Sequence, residues 1–75
     1  MYHMIEFAVE FEVDLEQSPT HRLERMLIRR GNRVQAQIKP YIMETENGPV
    51  EVADLFFVDG TTTRKVSFDS FSFVD

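Results

Sequence analysis

Hydrophobic and polar residues alternate without a break from Ile5 to Glu16. Ile5, Phe7, Val9, Phe11, Val13 and Leu15 take one set of positions; Glu6, Ala8, Glu10, Glu12, Asp14 and Glu16 take the other. Period two sustained this long marks a half-buried strand. At about 3.3 Å per residue it runs roughly 36 Å, longer than the roughly 30 Å diameter of a globule of this chain length. It must therefore bend around the core, end early, or reach out to pair with a second copy of the chain.

Residues 18–30 read as a helix. Ser18 suits the N-cap, Pro19 the first turn, and Gly31 the left-handed position just past the end. Leu23, Met26 and Leu27 fall within one sector about 100° wide, the stripe of a packed surface helix. As a strand, the same residues set Leu23 and Leu27 beside Arg25 and Arg29 on one face, and Met26 and Ile28 beside Glu24 and Arg30 on the other. Neither face is then apolar, which favours the helix, although Ile28 falls outside its stripe.

The rest reads as β. Val34, Ala36 and Ile38 alternate with polar residues until Pro40, whose missing N–H suits an edge or a bulge. A turn at Glu46-Asn47-Gly48-Pro49 and a hairpin at Asp59-Gly60 separate strands near 41–45, 50–58 and 61–68. Val66 and Phe68 sit on even positions but Phe71 and Phe73 on odd ones, so Asp69-Ser70 must hold a bulge or tight turn that restores the face. The expected fold is α+β: one small domain, 1–75, with a long N-terminal strand, one helix at about 18–30, and about four antiparallel strands. If 18–30 is not helical, the alternative is a small all-β barrel of SH3-like type.

Composition narrows the class. A chain of 75 residues buries about 63% of its unfolded surface, enough for one thin core. With 43% hydrophobic and 28% charged residues it is globular and not disordered. The absence of cysteine excludes disulfides, thiolate metal sites and cysteine nucleophiles. No apolar run is long enough for a transmembrane helix, and the first residues lack the basic and apolar regions of a signal peptide. The expectation is a cytoplasmic protein.

Charge falls in blocks. Residues 1–21 carry five acids and no Lys or Arg; residues 22–39 carry six bases and one acid; residues 40–75 carry seven acids and two bases, for a net charge of −5. The simplest use of the basic block is to lie against the acidic ones and neutralise them. If instead it is free, Arg22, Arg25, Arg29 and Arg30 form a candidate surface for carboxylates or phosphates, the groups a guanidinium recognises best. A pI near 4.9 favours an acidic protein partner over nucleic acid, whose affinity comes from phosphate neutralisation.

Other chemistry finds little support. Glu10, Glu12 and Asp14 stand nearly 7 Å apart along a strand and point in parallel, so they do not converge on a cation as calcium requires. His3 and His21 belong to no metal-ligand spacing, and the serines have no histidine nearby in sequence. Gly31, Gly48 and Gly60 are isolated, so no phosphate-binding loop is visible. No cofactor and no catalytic constellation is expected.

Phe56 and Phe57 are adjacent within a strand and must face opposite sides. If one meets the core, the other needs a second layer or another subunit, which makes the pair a candidate for self-association. The expected function is a non-enzymatic interaction or regulatory module that self-associates as a homodimer or other homo-oligomer, through the first strand or the Phe56/Phe57 face. The alternative is a small nucleic-acid-binding barrel using the Arg22–Arg33 block. A further alternative is an acidic inhibitor whose carboxylate face mimics nucleic acid.

Overall fold

The computed structural model describes residues 1–17 and 20–75. Seven strands and a single 3₁₀ turn follow in order: β1 (His3–Phe7), β2 (Phe11–Gln17), β3 (Arg22–Ile28), β4 (Arg33–Thr45), β5 (Gly48–Phe57), β6 (Thr61–Ser67), the turn at Phe68–Ser70, and β7 (Phe71–Phe73). All pairings are antiparallel, in the order β3-β2-β6-β5-β4-β1-β7, and the sheet curls into a half-barrel. No helix among the described residues is long and apolar enough to cross a membrane.

The long N-terminal alternation resolves by bending. It breaks at Ala8–Glu10, so β1 joins β4 and β7 at one end of the sheet while β2 joins β3 and β6 at the other. The chain is tied down at the break, where Ala8 N donates to Ser70 O at 2.8 Å and Gly31 N to Phe7 O at 2.8 Å. Both halves have a strand on either side, although β2 meets β6 only at Glu16 and Gln17. On either side of the break the odd residues keep one phase: Ile5, Phe7 and Leu15 are buried, and Phe11 and Val13 pack against the core, while Val9 within the break is exposed.

The expected helix at 18–30 is not there. Residues 22–28 form β3, paired with β2 in full register from Phe11↔Ile28 to Gln17↔Arg22; the cap and first-turn assignments of Ser18 and Pro19 lie outside the described residues. The α+β expectation is therefore wrong, and the all-β alternative fits. Neither face of this strand is apolar, the feature that favours a helix in the sequence, but an edge strand needs no apolar face. Every residue of β3 except Ile28 is exposed. Ile28, the residue that the helical stripe left out, is the one that reaches the core. Gly31 does adopt the left-handed conformation, at φ 86, in the β3–β4 turn and not as a helix cap.

Elsewhere the strands lie where the pattern puts them. β4 runs straight through Pro40. The Gln35 carbonyl accepts from Val58 N at 3.2 Å, so alternation turns odd residues of β4 toward β5 and even ones away. The nitrogen of Pro40 therefore faces the side that β1 leaves open beyond Ala36, and no ladder bond is lost. The β5–β6 hairpin turns through Gly60 at φ 92, with Asp59 Oδ1 accepting from Thr61 N and Oγ1 at 2.9 and 2.7 Å. The face change after Val66 is made by the 3₁₀ turn, capped by Ser67 Oγ accepting from Asp69 N at 3.1 Å.

The core fills the concave side: Ile5, Phe7, Ile28, Ala36, Ala53, Leu55, Val66 and Phe71. Ile5 and Leu55 are fully buried and Phe7 nearly so. Removing such side chains from so small a core has a large effect. Phe7→Ala is expected to cost about 3–5 kcal/mol, most of the stability of a domain this size. Ile42→Ala, at a position 60% exposed, is expected to stay within about 0.5 kcal/mol; urea unfolding of both variants measures the contrast.

Candidate interaction surface

The open end of the half-barrel exposes several apolar side chains. β3 has no neighbour on its outer side, and Leu23, Met26 and Leu27 are 63%, 49% and 42% exposed. Beside Met26 and Leu27 a cavity of about 280 Å³ opens between β3 and the β5–β6 turn, with Phe7, Leu15 and Phe57 among its walls and Val58 at its rim, whereas Leu23 lines the separate cleft between β2 and β6. Val58 is itself 60% exposed. Apolar side chains at an unpaired strand edge have two reasons to find a partner: open backbone groups and unburied hydrocarbon.

The two phenylalanines fall on opposite faces, as adjacent strand residues must. Phe57 packs against the concave core and lines the cavity. Phe56 lies half-buried on the convex face, with the Arg64 guanidinium 6.0 Å from its ring centroid. The Phe57 side thus joins the open end, whereas Phe56 has an arginine of its own chain for a cover.

The arginine block meets the acidic strand. Arg25 lies directly opposite Asp14 and reaches both Asp14 and Glu12 at 3.5 Å. Arg29 reaches Glu10 at 3.7 Å, and Arg33 donates to Glu6 at 2.8 Å. Arg22 and Arg30 are exposed and make no ion pair among the described residues. The four candidate arginines therefore do not form a separate basic patch; two of them are interleaved with carboxylates. Exposed pairs of this kind contribute little stability, but they balance charge along the β2–β3 hairpin. Among the described residues no group of three His, Asp or Glu is placed to hold a metal.

Pattern reading missed a polar network on the convex face. Asp54, 7% exposed in the centre of β5, accepts from Tyr41 Oη at 2.8 Å, from Lys65 N at 3.2 Å and from Arg64 Nη1 at 3.0 Å. Arg64 also donates through Nε to Glu16 at 3.2 Å, and the other oxygen of Glu16 bonds His21 Nδ1. A bulge makes this possible. Arg64 and Lys65 together stand opposite Asp54, and Lys65 takes φ 61, which turns its amide onto the carboxylate. Arg64 thereby ties β2 to β5 across β6. That link matters because β2 and β6 pair only at Glu16↔Thr62 and Gln17↔Thr61 before diverging around a cleft of about 610 Å³. A lone Asp in an apolar run, Val52 to Phe57, was the available sequence signal: a carboxylate there must be paired.

The network is held together by ionised carboxylates. Burial pushes the Asp54 carboxyl up, but the hydrogen bonds from Tyr41, Lys65 N and Arg64, with the Arg64 charge, outweigh it and hold it below the usual range. Glu16 is lowered chiefly by its bond from His21 and then by Arg64. Groups with depressed folded-state pKa values contribute stability above their unfolded values, here 3.8 and 4.5, and lose it as pH falls through the folded ones. Stability is therefore expected to be level near neutrality and to fall below about pH 4.5, with Asp54→Asn flattening that acid limb in pH-dependent urea titrations.

Lys65 provides a second test. A side chain at φ 61 carries steric strain that glycine lacks. Lys65→Gly is expected to be neutral or stabilising by up to about 1 kcal/mol, and the β-branched Lys65→Val to destabilise by more than about 1 kcal/mol, on thermal unfolding. No protein-family model matches this chain, and comparison with curated proteins and solved structures gives no match.

Proposed function

We propose that the protein is a self-associating interaction module that docks through the open end of its half-barrel. The observation that carries the proposal is the exposed edge strand β3, whose Leu23, Met26 and Leu27 stand in solvent, with Met26 and Leu27 beside an apolar cavity rimmed by Val58. The interleaving of Arg25 and Arg29 with Glu10, Glu12 and Asp14 argues in the same direction, because a charge-balanced hairpin suits protein contact better than phosphate binding. The proposal places the protein in the cytoplasm.

Salt separates apolar association from electrostatic association. Two copies of a chain with net charge −5 repel, and added salt screens that repulsion. Sedimentation equilibrium is expected to show a dimer at about 50 mM salt that persists or tightens at about 500 mM. Leu27→Glu is expected to give a monomer with an unchanged far-ultraviolet circular dichroism spectrum. A wild-type monomer at both salt concentrations overturns the proposal.

A further inference from the structure

The exposed edge also specifies how two copies would meet. We infer that β3 pairs antiparallel with β3 of a second copy about a two-fold axis through Arg25, joining two half-barrels into one continuous sheet. This rests on the self-association reading above and names the element and register that carry it.

The direction of the backbone groups comes first. The Gln17 carbonyl accepts from His21 N at 2.7 Å, which turns Gln17 toward β3. Alternation then points Leu15, Val13 and Phe11 the same way and sets their partners Glu24, Met26 and Ile28 facing back. The amide and carbonyl groups left on the open side belong to Leu23, Arg25 and Leu27.

Two-fold symmetry then restricts the pairing. Copies related by an axis normal to the sheet keep the same face up, so a residue meets only residues of its own face. With Arg25 on the axis, Leu23 of each copy meets Leu27 of the other, and every open backbone group on both strands finds a partner. Moving the axis to Glu24 sets the two Glu24 carboxylates against each other and Leu23 against Arg25. Moving it to Met26 sets Leu27 against Arg25. Both shifts leave open backbone groups at one end of each strand.

The charges balance in the same register. The two Arg25 side chains meet at the axis, but each lies 3.5 Å from Asp14 and from Glu12 of its own hairpin. The row that crosses the interface runs Asp14, Arg25, Arg25, Asp14, which is neutral. The flanking rows bury Leu23, 63% exposed in the monomer, against Leu27, 42% exposed. A second copy thus supplies hydrogen bonds, apolar cover and charge balance from one set of residues.

The natural absence of cysteine gives a clean test. Cα atoms facing each other in a hydrogen-bonded antiparallel pair stand about 5.5 Å apart, within the roughly 4.4–6.8 Å span of a disulfide. Under mild oxidation Arg25→Cys is expected to form a covalent dimer at least about tenfold faster than Leu23→Cys or Met26→Cys alone. Mixing Leu23→Cys with Leu27→Cys is expected to give the mixed disulfide in preference to either self-linked product. This second arm decides the register even if the Arg25 variant fails to fold. A dimer in sedimentation that cross-links fastest at Leu23 or Met26, or at none of these sites, overturns the register and leaves self-association standing. A wild-type monomer overturns both.

Discussion

With no α-helix among the described residues to cover it, the sheet hides its apolar face by curling onto it, and that requirement organises this molecule. Seven strands supply both walls of the core, so Ile5 and Phe7 from β1 face Ala53 and Leu55 from β5 and Ile28 from β3. Curling needs places where the ladder gives way. The break at Ala8–Glu10 lets one alternating segment serve opposite ends of the sheet. The bulge at Arg64 and Lys65 bends β6 where it stands against the centre of β5.

The bulge turns a geometric need into an electrostatic one. It opens space for Asp54 in the middle of an otherwise apolar strand, and a carboxylate there persists only if fully paired. Tyr41, the Lys65 amide and Arg64 provide the partners. Arg64 then extends to Glu16 and so binds the β2–β3 hairpin to the rest of the sheet where backbone pairing is thinnest. Packing and polar satisfaction are coupled here: the same two residues shape the curl and anchor the strand beside it.

A half-barrel that stops short of closure keeps two edges. β7 is three residues long and tucked beside β1, a common way to blunt an edge. β3 is seven residues long, exposed and carries leucines, with only its charges to discourage indiscriminate pairing. Of the two edges, β3 is thus the longer and the more exposed.

Much of the architecture was legible in the residues alone. Period-two alternation marked residues 5–16 as extended but as one strand where the structure has two, the turns at Asn47-Gly48 and Asp59-Gly60 bounded β5 and β6, and the parity change between Val66 and Phe71 required the turn now seen at Phe68–Ser70. These signals are local, because a strand's face and a turn's left-handed residue are set by immediate neighbours. Three matters were decided only in the tertiary structure. Residues 22–28 became a strand because β2 offered an open edge, and an edge strand is released from the need for an apolar face that made the helix the better local solution. The arginines met Glu10, Glu12 and Asp14 because β2 and β3 fold back on each other in one particular register. Asp54 and Arg64 share one hairpin, but Glu16 reaches Arg64 from a strand 48 residues away in sequence, and no local pattern encodes a meeting of that kind. Periodicity and turn chemistry determine which segments are strands and which faces they bury; the order of strands in the sheet, and hence which edge is left open, depends on how the whole chain closes its core.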